Sequence, residues 1–214
     1  MTRNVLIVLL VLSFGRVAFA QHPHILSQRE QASVIDRWLE ERIETLLPGL
    51  MDRTGIDMWL IISREYNEDP VIRTLLPSTW HAARRRTMLL IYKSPKSDTV
   101  ETLAVARYDV GKSFKRAWDP DSQPDQWKRL GELITERKPQ KIGLNFARDF
   151  GHADGLNLTE YNTLLQYLPK DYHSKITSAQ NLAVGWLETR TPSEMATYRH
   201  LQEIAQHIIA EGLS

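Results

Sequence analysis

Five consecutive apolar residues, Met58-Trp-Leu-Ile-Ile62, constrain this chain more than any other segment. The run has strand length and no polar alternation, so both of its faces must be covered, as in a central strand between two layers. Met88–Tyr92 and Thr102–Ala106 read as two further strands, joined by the Ser94-Pro-Lys-Ser-Asp98 loop into a hairpin. Lys141–Asn145 is a fourth strand and Ile176–Ser178 a short last one. Helices separate them. Ser27-Gln-Arg-Glu30 forms a capping box ahead of an apolar stripe of Val34, Ile35, Trp38, Leu39, Ile43, Leu46 and Leu47. Pro48-Gly49 is expected to break or kink that helix, with a further turn to Thr54-Gly55. Pro70 fits the first turn of a short helix through Leu76. Pro124-Asp125 opens a helix with Trp127, Leu130, Leu133 and Ile134 on one side, and Thr159 is expected to cap another that runs to Leu168. This order predicts an α/β fold, a mixed sheet flanked by helices. The stretch Asn181–Arg190 joins it to a closing amphipathic helix from Met195 to Ala210.

The N-terminus has the features of an export signal. Arg3 supplies a positive charge, Val5–Leu12 is an unbroken apolar run, and Ala18-Phe-Ala20 is a small-x-small cleavage pattern. Cleavage is expected between Ala20 and Gln21. The apolar run falls short of the roughly 20 residues a membrane helix needs. Removing Arg3 and Arg16 leaves 25 basic against 26 acidic residues. Such a balance argues against an electrostatic nucleic-acid or membrane-surface binder. The chain has no cysteine, so an exported form has no disulfides and depends on its hydrophobic core.

Several residue groups resemble chemical sites and fall short of them. His200, Glu203 and His207 share one face of the closing helix, but their spacing is not that of a zinc-binding H-E-x-x-H, and a solvated polar flank accounts for them. Arg84-Arg85-Arg86 is the densest basic run and reads as a solvated start of a strand, or as a rim that pairs with acids on a partner subunit. Ser78-Thr-Trp-His81 and Gly151-His-Ala-Asp154 hold nucleophile and base residues without a nucleophile elbow. The glycines form neither G-x-G-x-x-G nor a P-loop, which disfavours a nucleotide site. Asn157-Leu-Thr159 is a glycosylation sequon whose threonine the helix start already explains. Trp38, Trp59 and Trp127 are expected in the core. Trp80 and Trp118 fall in loops, where a large aromatic packs beneath the loop or marks an interface or ligand wall.

Taken in order, three stretches resemble one family: Leu47-Pro-Gly-Leu-Met-Asp-Arg-Thr-Gly-Ile-Asp57 leading into the first strand, the hairpin followed by Ile142-Gly-Leu-Asn145 and Asp154-Gly-Leu, and Leu187-Glu-Thr-Arg-Thr-Pro-Ser-Glu-Met195 before the last helix. They look like the N-terminal domain of the creatinase, prolidase and Xaa-Pro aminopeptidase family, and Ser63–Pro70 looks most like secreted bacterial members. The resemblance implies a creatinase N-terminal-like, ribonuclease H-like domain at 21–185, after a signal peptide at 1–20. Residues 186–214 would then be a linker and the first helix of a "pita-bread" metallopeptidase domain absent from this chain. In that family, two aspartates, one histidine and two glutamates of the pita-bread domain hold two divalent metals, whose bridging water attacks the bond before proline. None of those five has a matching position here, so the resemblance implies no catalytic residue, no metal ligand and no cofactor in this chain. The implied partners are its own catalytic domain or a second subunit in a homo-oligomer, with proline-containing peptides as substrates of the full-length enzyme. Trp118, in the loop Tyr108–Asp119, is the implied substrate-gating aromatic, and Trp80 a second interface candidate. The rival expectation is a stand-alone binding or dimerisation module derived from the family. The apolar stripe Tyr198 through Ile209 of the closing helix needs a partner, and a stand-alone module is expected either to lack such a stripe or to dimerise through it.

Overall fold

The computed structural model describes residues 25–213. The signal segment and the Ala20/Gln21 junction lie outside the described residues. Leu26–Met195 form one compact unit. Its first helix, α1 (Gln28–Glu41), starts at the expected capping box, with Ser27 and Glu30 each bonding the other's main-chain N–H. Pro48 does not break the helix. A π-helical turn at Arg42–Leu46 carries α1 on into α2 (Leu47–Thr54), and the N–H of Leu47 bonds the carbonyl of Arg42, five residues back. Widening that turn accommodates a proline, which lacks an N–H and crowds the carbonyl four residues before it. Gly55, at φ +65°, ends α2 in the left-handed conformation.

Strand β1 (Met58–Arg64) is buried as far as Ser63. It pairs antiparallel with β2 (Arg86–Tyr92), which pairs antiparallel with β3 (Glu101–Val105). The two-residue β4 (Lys115–Arg116) lies parallel to β3. On the other side of β1, β5 (Ile142–Leu144) and then β6 (Ile176–Ser178) run parallel to it. The sheet order is therefore β4-β3-β2-β1-β5-β6. The expected α/β fold with a mixed sheet flanked by helices is present. The chain leaves β1 toward one edge and returns to β5 on the other, which makes the carboxyl ends of β1 and β5 a topological switch point.

Alternation along β1 splits the core in two. Trp59 and Ile61 face α1, α2 and the helix α6 (Gln180–Glu188), packing with Leu47, Met51, Leu182 and Trp186. The stretch expected to join two parts is thus α6, and it contributes Trp186 to the core. Met58, Leu60 and Ile62 face α3 (Gln126–Arg137) and α4 (Leu158–Tyr167), packing with Trp127, Leu130, Ile134 and Leu164. Asp125 caps α3, accepting from the N–H groups of Trp127 and Lys128 at 3.0 and 3.1 Å. The cap of α4 is Asn157 and not Thr159: its Oδ1 accepts from the N–H of Glu160 at 3.0 Å, and Thr159 lies inside the helix. Asparagine is the stronger cap, and it starts the helix two residues earlier. A short helix α5 (Lys170–His173) precedes β6.

The closing helix α7 (Pro192–Gly212) has its first turn in this unit, and from Ala196 on it belongs to a second. Along that part Tyr198, Leu201, Ile208 and Ile209 are exposed.

Two helical glycines should respond oppositely to alanine. A Cβ at Gly49 meets nothing within 4 Å, so Gly49→Ala should stabilise by about 0.5–1 kcal/mol through helix propensity and unfolded-state entropy. At Gly131 a Cβ would stand 2.8 Å from the carbonyl oxygen of Tyr167, a main-chain atom that cannot swing away. Gly131→Ala should therefore destabilise, by about 1–3 kcal/mol. Urea unfolding of both variants checks the pair; a stabilised Gly131→Ala would contradict this packing of α3 on α4.

Candidate functional site

The buried indole of Trp59 needs an acceptor inside the sheet. Its Nε1 donates to Asn145 Oδ1 at 2.8 Å, and Asn145, just past β5, in turn donates from Nδ2 to Asp69 Oδ2 at 2.9 Å. Asp69 Oδ1 accepts from the N–H of Val71 at 2.8 Å, and the N–H of Asp69 donates to Ser63 Oγ at 3.1 Å. All four side chains are buried. The network ties the carboxyl ends of β1 and β5 to the loop between β1 and the short 3-10 turn Ile72–Thr74. Gly155 closes it, because a Cβ there would lie 2.3 Å from Asp69 Cγ. Burial pushes the Asp69 carboxyl up to about 6, against the opposing hydrogen bonds from Asn145 and Val71, with Asp154 adding a smaller rise.

A second polar group lies on the opposite face of β1. Glu160 of α4 is fully buried beneath two arginines that sit directly across from each other in the β1–β2 register, Arg64 and Arg86. Arg86 Nε donates to Glu160 Oε2 at 3.2 Å. Arg64 Nε lies 3.1 Å from Oε1 without the alignment to donate to it, which leaves Oε1 without a hydrogen bond. The Arg86 guanidinium also rests over Trp127, 5.3 Å from the ring centre. Arg84-Arg85-Arg86 is thus no uniformly solvated run. Arg86 is half-buried against an acid of its own chain, Arg84 sits 5.5 Å over Trp80, and Arg85 has φ +50°.

The third group is a cleft of about 380 Å³ between α1, the segment after the 3-10 turn, and α6. Trp38, Trp80 and Trp186 line it together with Arg42, Arg73 and Glu194. Trp38 is half-buried here, not in the closed core the sequence suggested. Arg42, held in the π-helical turn, donates to the carbonyls of Trp186 and Thr189 and to the Glu194 carboxylate at 3.0 Å, with its guanidinium 4.3 Å over the Trp186 ring. Glu194 also accepts from the N–H of Thr191 at 2.7 Å, completing a capping box for α7. Trp186 Nε1 donates to Thr74 Oγ1 at 2.7 Å.

The sequence-derived candidates are scattered over these groups. Trp80 is half-buried, edge-on to Tyr108 at 5.5 Å, on the Trp59 side of the sheet. Trp118 is half-buried on the other side, and its Nε1 donates to the Gln123 carbonyl at 2.6 Å. The two therefore line different surfaces. Ser78 bonds Asp36 and the Ala32 carbonyl, whereas Asp154 bonds the N–H of Ala147, so no nucleophile–base pair forms from them. Among the described residues no group of three or more His, Asp or Glu side chains could hold a metal ion, and His200, Glu203 and His207 form no such group. No helix among the described residues is long and apolar enough to cross a membrane.

No protein-family model matches the chain, and no curated protein matches it. Among solved structures it is similar to an Xaa-Pro dipeptidase from Bacillus anthracis, at 16% identity and a TM-score of 0.44. That likeness covers 77% of this chain and 38% of the other, so the chain spans well under half the length of the structure it matches.

Asp69 gives a signed pH test. Its folded-state pKa of about 6 lies above the usual carboxylate value, so the folded chain takes up the proton first and stability rises as pH falls through that window. Between about pH 7 and about pH 5 the gain is on the order of 1 kcal/mol. Measured by urea unfolding, the stability of wild type relative to Asp69→Asn should increase by that amount over this range. A difference that stays constant with pH would contradict the buried carboxyl.

Proposed function

We propose that this chain is the N-terminal, non-catalytic domain of an exported metallopeptidase of the creatinase, prolidase and Xaa-Pro aminopeptidase family. In this reading the domain builds an interface and narrows access to an active site carried elsewhere. The order of the motifs from Leu47 to Met195 supports the family. The observation that carries the role is α7. Arg42 fixes its first turn through Glu194, and beyond it Leu201, Ile208 and Ile209 are exposed. Covering what remains open of such side chains is worth on the order of 1 kcal/mol each, which favours a catalytic domain or a second subunit laid against the stripe. The full-length enzyme would bind two divalent metals and act on proline-containing peptides. Trp118 and Trp80, on separate surfaces, would each contribute to a gate or an interface. Export at Ala20/Gln21 would place the protein in a periplasm or outside the cell, and the near-neutral charge supports neither a nucleic-acid nor a membrane partner.

A second reading rests on the same stripe: a stand-alone binding module that uses α7 to dimerise. Activity separates the two. The protein purified from its native source should hydrolyse an Xaa-Pro peptide when supplied with a divalent metal, and recombinant residues 21–214 should not. In the native enzyme Trp118→Ala should raise KM with little change in kcat. A native protein without peptidase activity would overturn the first reading in favour of the module.

A further inference from the structure

Arg64 and Arg86 are direct cross-strand neighbours on one face of the sheet, a placement that costs stability unless something of opposite charge lies between them. Glu160 supplies that charge from beneath, but one carboxylate against two guanidinium groups leaves an excess of one positive charge. Both arginines approach Glu160 through Nε. Their terminal nitrogens, the edges that grip a carboxylate in parallel pairs, bond nothing among the described residues. Arg64 and Arg86 keep 46% and 32% of their side-chain surface open. Glu65 and Glu68, next along the chain, accept from the N–H groups of Arg85 and Tyr66, and among the described residues neither forms an ion pair with Arg64 or Arg86.

The pair is also held in place. Trp127 backs the Arg86 guanidinium, and the buried amide of Gln126 fixes its main chain by donating to the carbonyls of Arg86 and Val105 at 3.1 and 2.7 Å. Helix α4 brings an apolar wall with it. Tyr161, the residue after Glu160, lines a cleft of about 260 Å³ with Phe146, Leu156 and Leu158, and Leu158 is 72% exposed. Phe146 follows β5 directly, so this wall stands at the carboxyl end of the parallel strands, where open α/β sheets bind ligands.

We propose that Arg64 and Arg86 form a carboxylate-binding cradle, oriented by Glu160, for a small apolar carboxylic acid whose hydrocarbon part rests on Phe146, Leu158 and Tyr161. The proposal stands independently of any peptidase assignment. Two open guanidinium edges match a planar carboxylate, and the apolar wall favours an anion that carries a hydrophobic group over a bare one.

Isothermal titration of the purified chain with 3-phenylpropanoate, its amide and inorganic phosphate tests the cradle. The expected result is a dissociation constant near or below about 1 mM for the acid and no measurable binding of the amide. Phosphate should bind more weakly than the acid. Arg64→Gln and Arg86→Gln should each weaken binding of the acid at least tenfold. Arg64 is half-exposed at the end of its strand, so Arg64→Gln should stay folded with a lowered melting temperature, and this variant decides the matter should Arg86→Gln fail to fold. Absence of binding, equal binding of acid and amide, tighter binding of phosphate, or an affinity unmoved by Arg64→Gln would overturn the proposal.

Discussion

Strand β1 has to be dry on both faces, and most of the molecule follows from that requirement. Met58 to Ile62 offer no polar side chain except the indole N–H of Trp59, and that N–H cannot be buried without an acceptor. Asn145 provides it and is itself oriented by Asp69, which draws the loop after β1 back over the end of the sheet. A carboxyl placed so deep takes up a proton more readily than usual, and the main chain at Gly155 must come close enough to exclude any side chain. A single indole thus accounts for a chain of otherwise unconnected features. On the opposite face the same alternation runs Met58, Leu60, Ile62 and then Arg64, so the first charge after the core emerges above α4.

The helical layer on the Trp59 side answers a different need. The π-helical turn that admits Pro48 also sets Arg42 against Trp186, Thr189 and Glu194. A buried arginine is tolerated only when its donors are matched, and here two carbonyls, a carboxylate and an aromatic face match them. The capping box of α7 is therefore part of the core's own polar bookkeeping. The domain thus holds the start of α7.

Much of this was legible in the sequence. The uninterrupted run of β1, the hairpin, the capping box at Ser27 and the cap at Asp125 depend on short-range chemistry, and they appear where the residues place them. The missed features are those that neighbours in space decide. Pro48 reads as a breaker until the widened turn upstream is known, and Thr159 reads as a cap only while Asn157 is taken for a sequon. Arg86 was lost in a basic triplet, although its alternation with Met88 and Leu90 puts it on the core face. Glu160 left a readable signal, since it precedes Leu164 and Leu168 by one and two helical turns and so points where they point. Nothing local marked Asp69 or Asn145; their roles arise from the distant Trp59.

The proposed role, a domain within a larger exported peptidase, is tested most directly by the intact mass of the protein from its native source. A mass well above the 24.7 kDa of this chain is the predicted result, because it would supply protein to cover the α7 stripe and to carry the chemistry. A mass slightly below 24.7 kDa, reduced only by removal of residues 1–20, would contradict it and leave α7 to a separate partner.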